Sequence, residues 1–473
     1  MSFQSFHFLV FFLVLLVLVR GVLRRHPDAS KTLLLLGSYY FYMCWDWRFA
    51  GLILLITVIN FITGPKVHAA TSEGSRKRWL AASIVPSLLV LGYFKYANFF
   101  IESLNTLLSR IGVNADIPML EILLPVGISF YTFQSISYTL DIYRKKVQPV
   151  ASFRDFALFV VFFPQLVAGP IVRASHFLPQ LSGHREEAPK PVETGAALMI
   201  RGVIKKVLFA DVLGAHLVDP AFANPHDYSP LFLIVAIYAY SFQVYMDFSG
   251  YTDIARGAAR ALGYELPINF NRPYKATSIS NFWQRWHISM SSFFRDYLFF
   301  SLGGSKHGNV YFNLMVTFVA IGIWHGAGWN FVVYGICHAL FVCFERWQRN
   351  RRAHMGRPEP EYSGWRWAGR VFWILTLVSI TRLLFRGGSI QGASEYVDAM
   401  TQFSNTHTPL DWVGFAILIA SVILHYTPDH WSYGWKTFFS SRPSLVQAAI
   451  ITLTLALVVA VSTGQAPFIY FQF

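Results

Sequence analysis

The sequence predicts an all-α fold, a polytopic bundle of membrane helices. Three observations carry this. Hydrophobic residues make up 54% of the 473 positions while Asp, Glu, Lys and Arg make up 14%, against about 25% charged in an average soluble domain. Mean hydropathy is positive, and a globule of this length in water cannot hide that much apolar surface. The apolar residues also fall in long continuous runs rather than short alternating ones, which points to helices and away from a β-barrel.

The first run, residues 6–23, is too long for a signal-peptide core. It carries no small-residue cleavage site and has its basic residues (Arg20, Arg24, Arg25, Lys31) behind it. Basic residues favour the inner side, so the N-terminus is placed outside. Residues 32–64 break once at Asp46-Trp47-Arg48 and read as two helices with a tight outer turn. Lys66, Arg76, Lys77 and Arg78 bring the chain inside again. Residues 79–104 lead out, and 119–143 return to Arg144-Lys145-Lys146.

Residues 153–172 contain Pro164-Gln165 and Gly169-Pro170. They read either as a re-entrant element lining a protein-enclosed cavity or as a kinked helix. Residues 196–218 carry Arg201, Lys205, Lys206 and Asp211 and read as an interfacial helix. Residues 230–250 span, ending beside Asp247 and Asp253 at a membrane edge. Those acids are either proton-handling groups or, with Arg256 three positions after Asp253, part of an ion pair. Residues 345–370 are basic and therefore cytoplasmic. Residues 372–384 go out, 387–411 suit an outer loop, 412–425 return and 445–461 exit. The expectation is one membrane domain over 1–473 with ten to twelve membrane elements, no internal repeat and no soluble domain.

The net charge of +14 collects at the ends of apolar runs, which reads as membrane topology and not as nucleic-acid binding. Cys44, Cys337 and Cys343 lie in apolar stretches without metal or disulfide spacing and read as small core residues. There is no phosphate loop, no GxSxG and no dinucleotide fingerprint.

The chemistry concentrates in residues 281–327. Asn281-Phe-Trp-Gln-Arg-Trp-His287-Ile-Ser289 opens an amphipathic helix, with Asn281 and Gln284 as its cap and Gly303-Gly304 as its stop. Trp283, Trp286, His287, Met290, Phe293, Phe294, Tyr297 and Leu298 share one face. Such a helix lies at a membrane surface or lines a cavity. A second apolar run, 311–324, ends at Trp324-His325 against Gly326-Ala-Gly328, where glycines let a ligand or another backbone approach. Each histidine reads either as a satisfied core residue or as a catalytic group. Metal binding is disfavoured, because ligand spacing and a carboxylate pair are missing. Arg295-Asp296 reads as a structural pair, and His176, His307 and His338 have no supporting context.

These residues resemble the membrane-bound O-acyltransferase (MBOAT) family, in its bacterial alginate O-acetyltransferase-like branch. The matching stretches are Gly92-Tyr-Phe-Lys-Tyr-Ala-Asn98, Leu124-Pro-Val-Gly-Ile-Ser-Phe130, Phe162-Phe-Pro-Gln-Leu-Val-Ala-Gly-Pro170, Ile204-Lys-Lys-Val207, Asp247-Phe-Ser-Gly-Tyr251, Phe282-Trp-Gln-Arg-Trp-His-Ile-Ser289, Arg295-Asp296-Tyr297, Trp324-His-Gly-Ala327 and Tyr470-Phe-Gln-Phe473. The resemblance implies a bundle with re-entrant and interfacial helices around a central tunnel. It implies His325 as the catalytic histidine and His287 as the second motif histidine, meeting near the tunnel's centre. Trp324, Trp286, Arg285, Asp296, Asp247, Asp253 and Gln165 stand as supporting or tunnel-lining candidates.

The expected function is transfer of an acetyl group from a cytoplasmic donor, acetyl-CoA, to an exported polysaccharide of alginate or cellulose type. A periplasmic acetyltransferase partner would complete the transfer, no bound cofactor or metal would be needed, and the location is the bacterial inner membrane. The alternatives are O-acylation of peptidoglycan, teichoic acid, lipid or protein. From another class, the alternative is a polytopic transporter or flippase, which would favour repeats and midplane acids.

Overall fold

The computed structural model describes every residue except 2, 4, 114, 168, 183–190, 404–406, 410 and 462–473. The motif residues Ala168 and Tyr470–Phe473 therefore lie outside the described residues. The described residues are mostly helical and contain no strand. Among them, five helices are long and apolar enough to cross a membrane: Trp47–Ala69, Glu73–Arg110, Pro230–Ala261, Gly364–Arg386 and Ser444–Val461. Phe6–Val22, Val310–His325 and Trp412–Tyr426 are shorter apolar helices.

The chain packs as two compact units, Met1–Met199 with Ile254–Pro267, and Ile200–Asp253 with Ile268–Phe473. In the first, the helices Ala50–Ala69, Glu73–Leu91 and Ile128–Tyr143 meet at a polar knot. Asn60 Oδ1 accepts from Ser83 (2.6 Å) and Thr139 (3.0 Å), and its Nδ2 donates to Ser87 (3.3 Å). Lipid tails are as apolar as leucine, so interhelical hydrogen bonds of this kind do part of the work that hydrophobic burial does in water.

One expectation for this unit is corrected and another is met. The helix expected over 119–143 starts only at Ile128. Before it the chain is non-helical, and its backbone groups are satisfied by side chains instead: Asn98 bonds both backbone groups of Leu120, and Asn105 both of Ile117. The element 153–172 is indeed broken, at Phe162 between the helices Phe153–Val161 and Phe163–Leu166. The side-chain amides of Gln134 and Gln165 both donate to the Phe159 carbonyl beside that break, Gln165 at 2.7 Å.

In the second unit the helix that begins at Pro230 does not stop near residue 250. It runs to Ala261, its last residues belonging to the first unit, so Asp247 and Asp253 lie within the helix and not beyond its end. The outer stretch 387–411 holds a helix, Ile390–Thr401, and a further helix, Asp429–Ser440, comes after the returning run. Cys44 is exposed and Cys337 and Cys343 are half-buried, so none is the fully enclosed core residue expected.

Helices Val310–His325 and Trp329–His354 form a tightly apposed pair. A Cβ on Gly322 would lie 2.2 Å from the Phe331 carbonyl oxygen, and one on Gly335 would lie 2.5 Å from that of Phe318. The pair is close because both positions lack a side chain, as small residues allow between membrane helices. Gly335→Leu should force the pair apart at an overpacking cost of about 1–3 kcal/mol. The expected result is a lower melting temperature of the detergent-solubilised protein, read by size-exclusion chromatography after heating.

Candidate active site

Residues 281–298 do not form one helix. The chain makes helix Ile279–Arg285, turns at Trp286–His287, and resumes as helix Ile288–Phe294. The periodicity is correct on both sides, but the turn points the second helix in a new direction. At the turn His287 has φ 43° and ψ 54°, the left-handed region. For a residue with a Cβ this costs roughly 1–2 kcal/mol, so the surroundings must hold it.

They hold it through Asn269, a residue that no sequence motif singles out. Its Oδ1 accepts from the Ser289 N–H (3.1 Å) and the Ser289 hydroxyl (2.9 Å), and lies 3.2 Å from His287 Nδ1. Its backbone carbonyl accepts from Ile288 N–H at 2.9 Å. The N-terminus of the first short helix is held too. Its cap is Ser278, whose hydroxyl accepts from Asn281 N–H at 2.9 Å, so Asn281 is not the cap expected. The Glu345 carboxylate, from helix Trp329–His354, accepts from Ile279 N–H (2.6 Å), Ser280 N–H (3.0 Å) and the Ser280 hydroxyl (3.1 Å). An anion at a helix N-terminus satisfies orphan donors and meets the positive end of the dipole.

The Asn269 contact fixes a tautomer. An atom that accepts a backbone N–H must be the amide oxygen, so His287 Nδ1 carries the hydrogen and donates to it. Nε2 is then the acceptor nitrogen of the neutral ring. His287 is fully buried and lies outside the helices long enough to span, and burial pushes its pKa down to about 3. It is neutral across the physiological range.

Rings surround both histidines. Phe248 meets His287 edge-on at 4.8 Å between centroids, and Trp324 meets it at 5.6 Å. The same Trp324 indole meets His325 at 5.1 Å, so one ring touches both imidazoles. His325 is 3% exposed and also faces the edges of Phe385 (5.1 Å) and Tyr334 (5.9 Å). The glycine break after His325 is closed by the chain itself: a Cβ on Gly326 would fall 2.0 Å from the Phe331 ring.

The other candidates each have partners of their own. Trp286 packs on Phe270, Phe282 and Tyr274. Arg285 donates to Asn281 Oδ1 (2.9 Å) and Asn271 O (3.2 Å), and Asp296 accepts from Arg295 at 2.7 Å. Asp247 pairs with Lys206 at 2.9 Å. Asp253 takes Arg201 (2.7 Å) and Lys205 (2.8 Å), and not Arg256, whose partner is Glu265 at 3.7 Å. The cations that pack across from the neighbouring segment reach Asp253 where its own helix does not. Gln165 belongs to the first unit and both histidines to the second. No cluster of His, Cys, Asp and Glu able to hold a metal occurs among the described residues.

Three features went unread in the sequence. His338 is fully buried, accepts from Trp283 Nε1 at 3.3 Å and bonds Thr381 Oγ1 at 3.0 Å, so both ring nitrogens are used structurally. The loop Arg272–Lys275 is clasped by residues 425–428. Tyr274 N–H donates to His425 Nε2 (3.2 Å), Tyr426 OH to Tyr274 O (2.8 Å), Lys275 to Thr427 O (3.0 Å) and Arg272 to Pro428 O (3.0 Å). The short turn 381–386 walls the site, with Thr381 on His338 and Phe385 on His325.

The model of the membrane-bound O-acyltransferase family matches residues 34–385 of this chain, a span that includes both histidines. The chain belongs to the membrane-bound O-acyltransferase family. It is an acyltransferase and a multi-pass membrane protein, and the transporter alternative falls away. It is 39% identical over 438 residues to a protein named probable alginate O-acetylase from Azotobacter vinelandii, covering 91% of this chain and 85% of that one. A protein of the same name from Pseudomonas aeruginosa is 38% identical, covering 83% and 74%. A peptidoglycan O-acetyltransferase from Helicobacter pylori is 32% identical, covering 80% and 74%.

Asn269→Leu should free His287 from its fixed orientation in this acyltransferase. The expected loss is about 10- to 100-fold in turnover, one to two hydrogen bonds' worth, with the protein still folded by size-exclusion chromatography. Glu345→Ala removes the cap of the helix leading into the same turn. It should lower stability by about 1–2 kcal/mol, seen as a reduced melting temperature.

Proposed function

We propose that this acyltransferase moves an acetyl group from acetyl-CoA on the cytoplasmic side of the bacterial inner membrane toward an exported polysaccharide. The single observation that carries the site assignment is the Trp324 indole in contact with both His287 and His325. Residues 38 positions apart in the sequence thereby share one enclosed aromatic site.

The reaction is acyl transfer from a thioester to a hydroxyl. A hydroxyl is a poor nucleophile at neutral pH, so a base must take its proton as it attacks. His325 fills that role in this reading and later returns the proton to the departing thiolate. His287, with its hydrogen committed to Asn269, offers a lone pair at Nε2. That nitrogen accepts from the acceptor hydroxyl and orients it. The enclosing rings exclude water, which limits loss of the acyl group to hydrolysis. The basic loops favour an anionic donor such as acetyl-CoA.

The acceptor is a polysaccharide in this reading because the relatives from Azotobacter and Pseudomonas are named for alginate. Peptidoglycan is the second reading, favoured by the Helicobacter relative. A periplasmic partner protein would complete either transfer.

His325→Ala, purified and assayed with labelled acetyl-CoA, should lose about 10²- to 10⁴-fold in acetyl transfer while remaining membrane-inserted. Wild-type turnover in that variant would refute the base assignment. Mass spectrometry of surface polymers from a deletion strain should show which one loses its O-acetyl groups.

A further inference from the structure

Arg382 lies at the junction between helices Gly364–Thr381 and Leu383–Arg386 and is 4% exposed. Its Nη1 donates to the Ser241 carbonyl at 2.9 Å and to the Tyr274 hydroxyl. Its guanidinium lies 4.4 Å from the Trp286 ring centroid and 5.4 Å from that of Tyr274. None of these contacts is a carboxylate, and Nε and Nη2 have no hydrogen-bond partner among the described residues.

Buried Lys206 and half-buried Arg201 of the same unit are treated differently. Lys206 has Asp211 and Asp247, and Arg201 has Asp253. A buried charge without a counter-charge is costly and is seldom left unpaired. The arrangement fits an anionic charge that is present only while the site is in use.

Its position says which charge. Arg382 packs on Trp286, the residue before His287, while Phe385, three positions on, packs on His325. Arg382 O accepts from Phe385 N–H at 3.0 Å, so the two belong to one tight turn. Arg382 thus connects the segments that carry the two histidines. Acyl transfer also leaves one role unfilled: neutral His287 has no N–H at Nε2 to offer an oxyanion.

We propose that Arg382 holds the carbonyl oxygen of the acyl donor as negative charge develops on it. This rests on the acyl-transfer reading above. The acceptor oxygen bonds to the carbonyl carbon, the π pair moves onto the carbonyl oxygen, and Nε–H and Nη2–H of Arg382 donate to that oxyanion. The hydroxyl proton passes to His325. Collapse re-forms the carbonyl and breaks the carbon–sulfur bond, and the thiolate leaves with the proton from His325. Donors set in advance toward developing charge act on the transition state far more than on bound substrate.

The test uses the purified full-length protein and acetyl-CoA, with initial rates measured across donor concentration. Arg382→Met should lose about 10²- to 10³-fold in kcat, with KM within about threefold and the protein still folded, its melting temperature lowered by loss of the bonds to Ser241 and Tyr274. Arg382→Lys should be intermediate, since it keeps the charge but not the fork. Added guanidinium ion should restore part of the activity of Arg382→Ala and none of that of His325→Ala.

A kcat within about threefold of wild type in Arg382→Met would overturn the proposal. So would a raised KM at unchanged kcat, which would make Arg382 an anchor for the donor's phosphates. If Arg382→Met does not fold, Arg382→Lys decides: reduced kcat at wild-type stability supports the role, and wild-type kcat removes it. An active His325→Ala would bring down the acyl-transfer reading together with this proposal. An inactive His325→Ala beside a wild-type Arg382→Met would bring down this proposal alone.

Discussion

One side-chain oxygen, Oδ1 of Asn269, sets the geometry on which the site depends. It accepts from three donors within a three-residue turn. That turn keeps His287 in a backbone conformation that a residue with a Cβ would otherwise leave. A continuous helix over 279–294 would place His287 on the same apolar stripe as Trp283, and its ring would pack like any other. Breaking the helix there separates Trp286, facing Tyr274 and Arg382, from His287, facing Trp324. The local strain and the local chemistry have one source.

The second constraint is the cost of charge away from water. Asp247 and Asp253 lie within a long apolar helix, and each is neutralised by a cation from residues 201–206. Those pairs join two segments of the unit and read as structural. Arg382 departs from that pattern, with a carbonyl, a phenol and two aromatic faces in place of an acid. That contrast within one unit is what underlies the role proposed for Arg382.

Much of the fold was readable because membrane helices declare themselves by composition over about twenty residues. The two helices either side of Asp46, the break near Pro164 and the runs ending at His325 and near His425 all derive from local properties. The turn at His287 did not, because spacing of three and four continues across it and the atom that decides the matter is 18 residues upstream. The Glu345 cap lies 65 or 66 residues from the groups it serves. Arg382 was hidden for another reason. A single arginine at the end of an apolar run looks like a topological charge, and only its partners distinguish it. His338 was passed over for want of context, and that context turned out to be a tryptophan and a threonine from other helices.

The clasp on residues 272–275 has a consequence for how the protein is made. Its jaws, 425–428, are translated some 151 to 156 positions after the loop they hold. Tyr274 is therefore present in the nascent chain long before His425 and Tyr426 can grip it, and its hydroxyl partner Arg382 also arrives late. Insertion of the early helices cannot by itself yield a working enzyme. The site is finished only when the segment carrying His425 has docked on the loop made some 151 positions earlier.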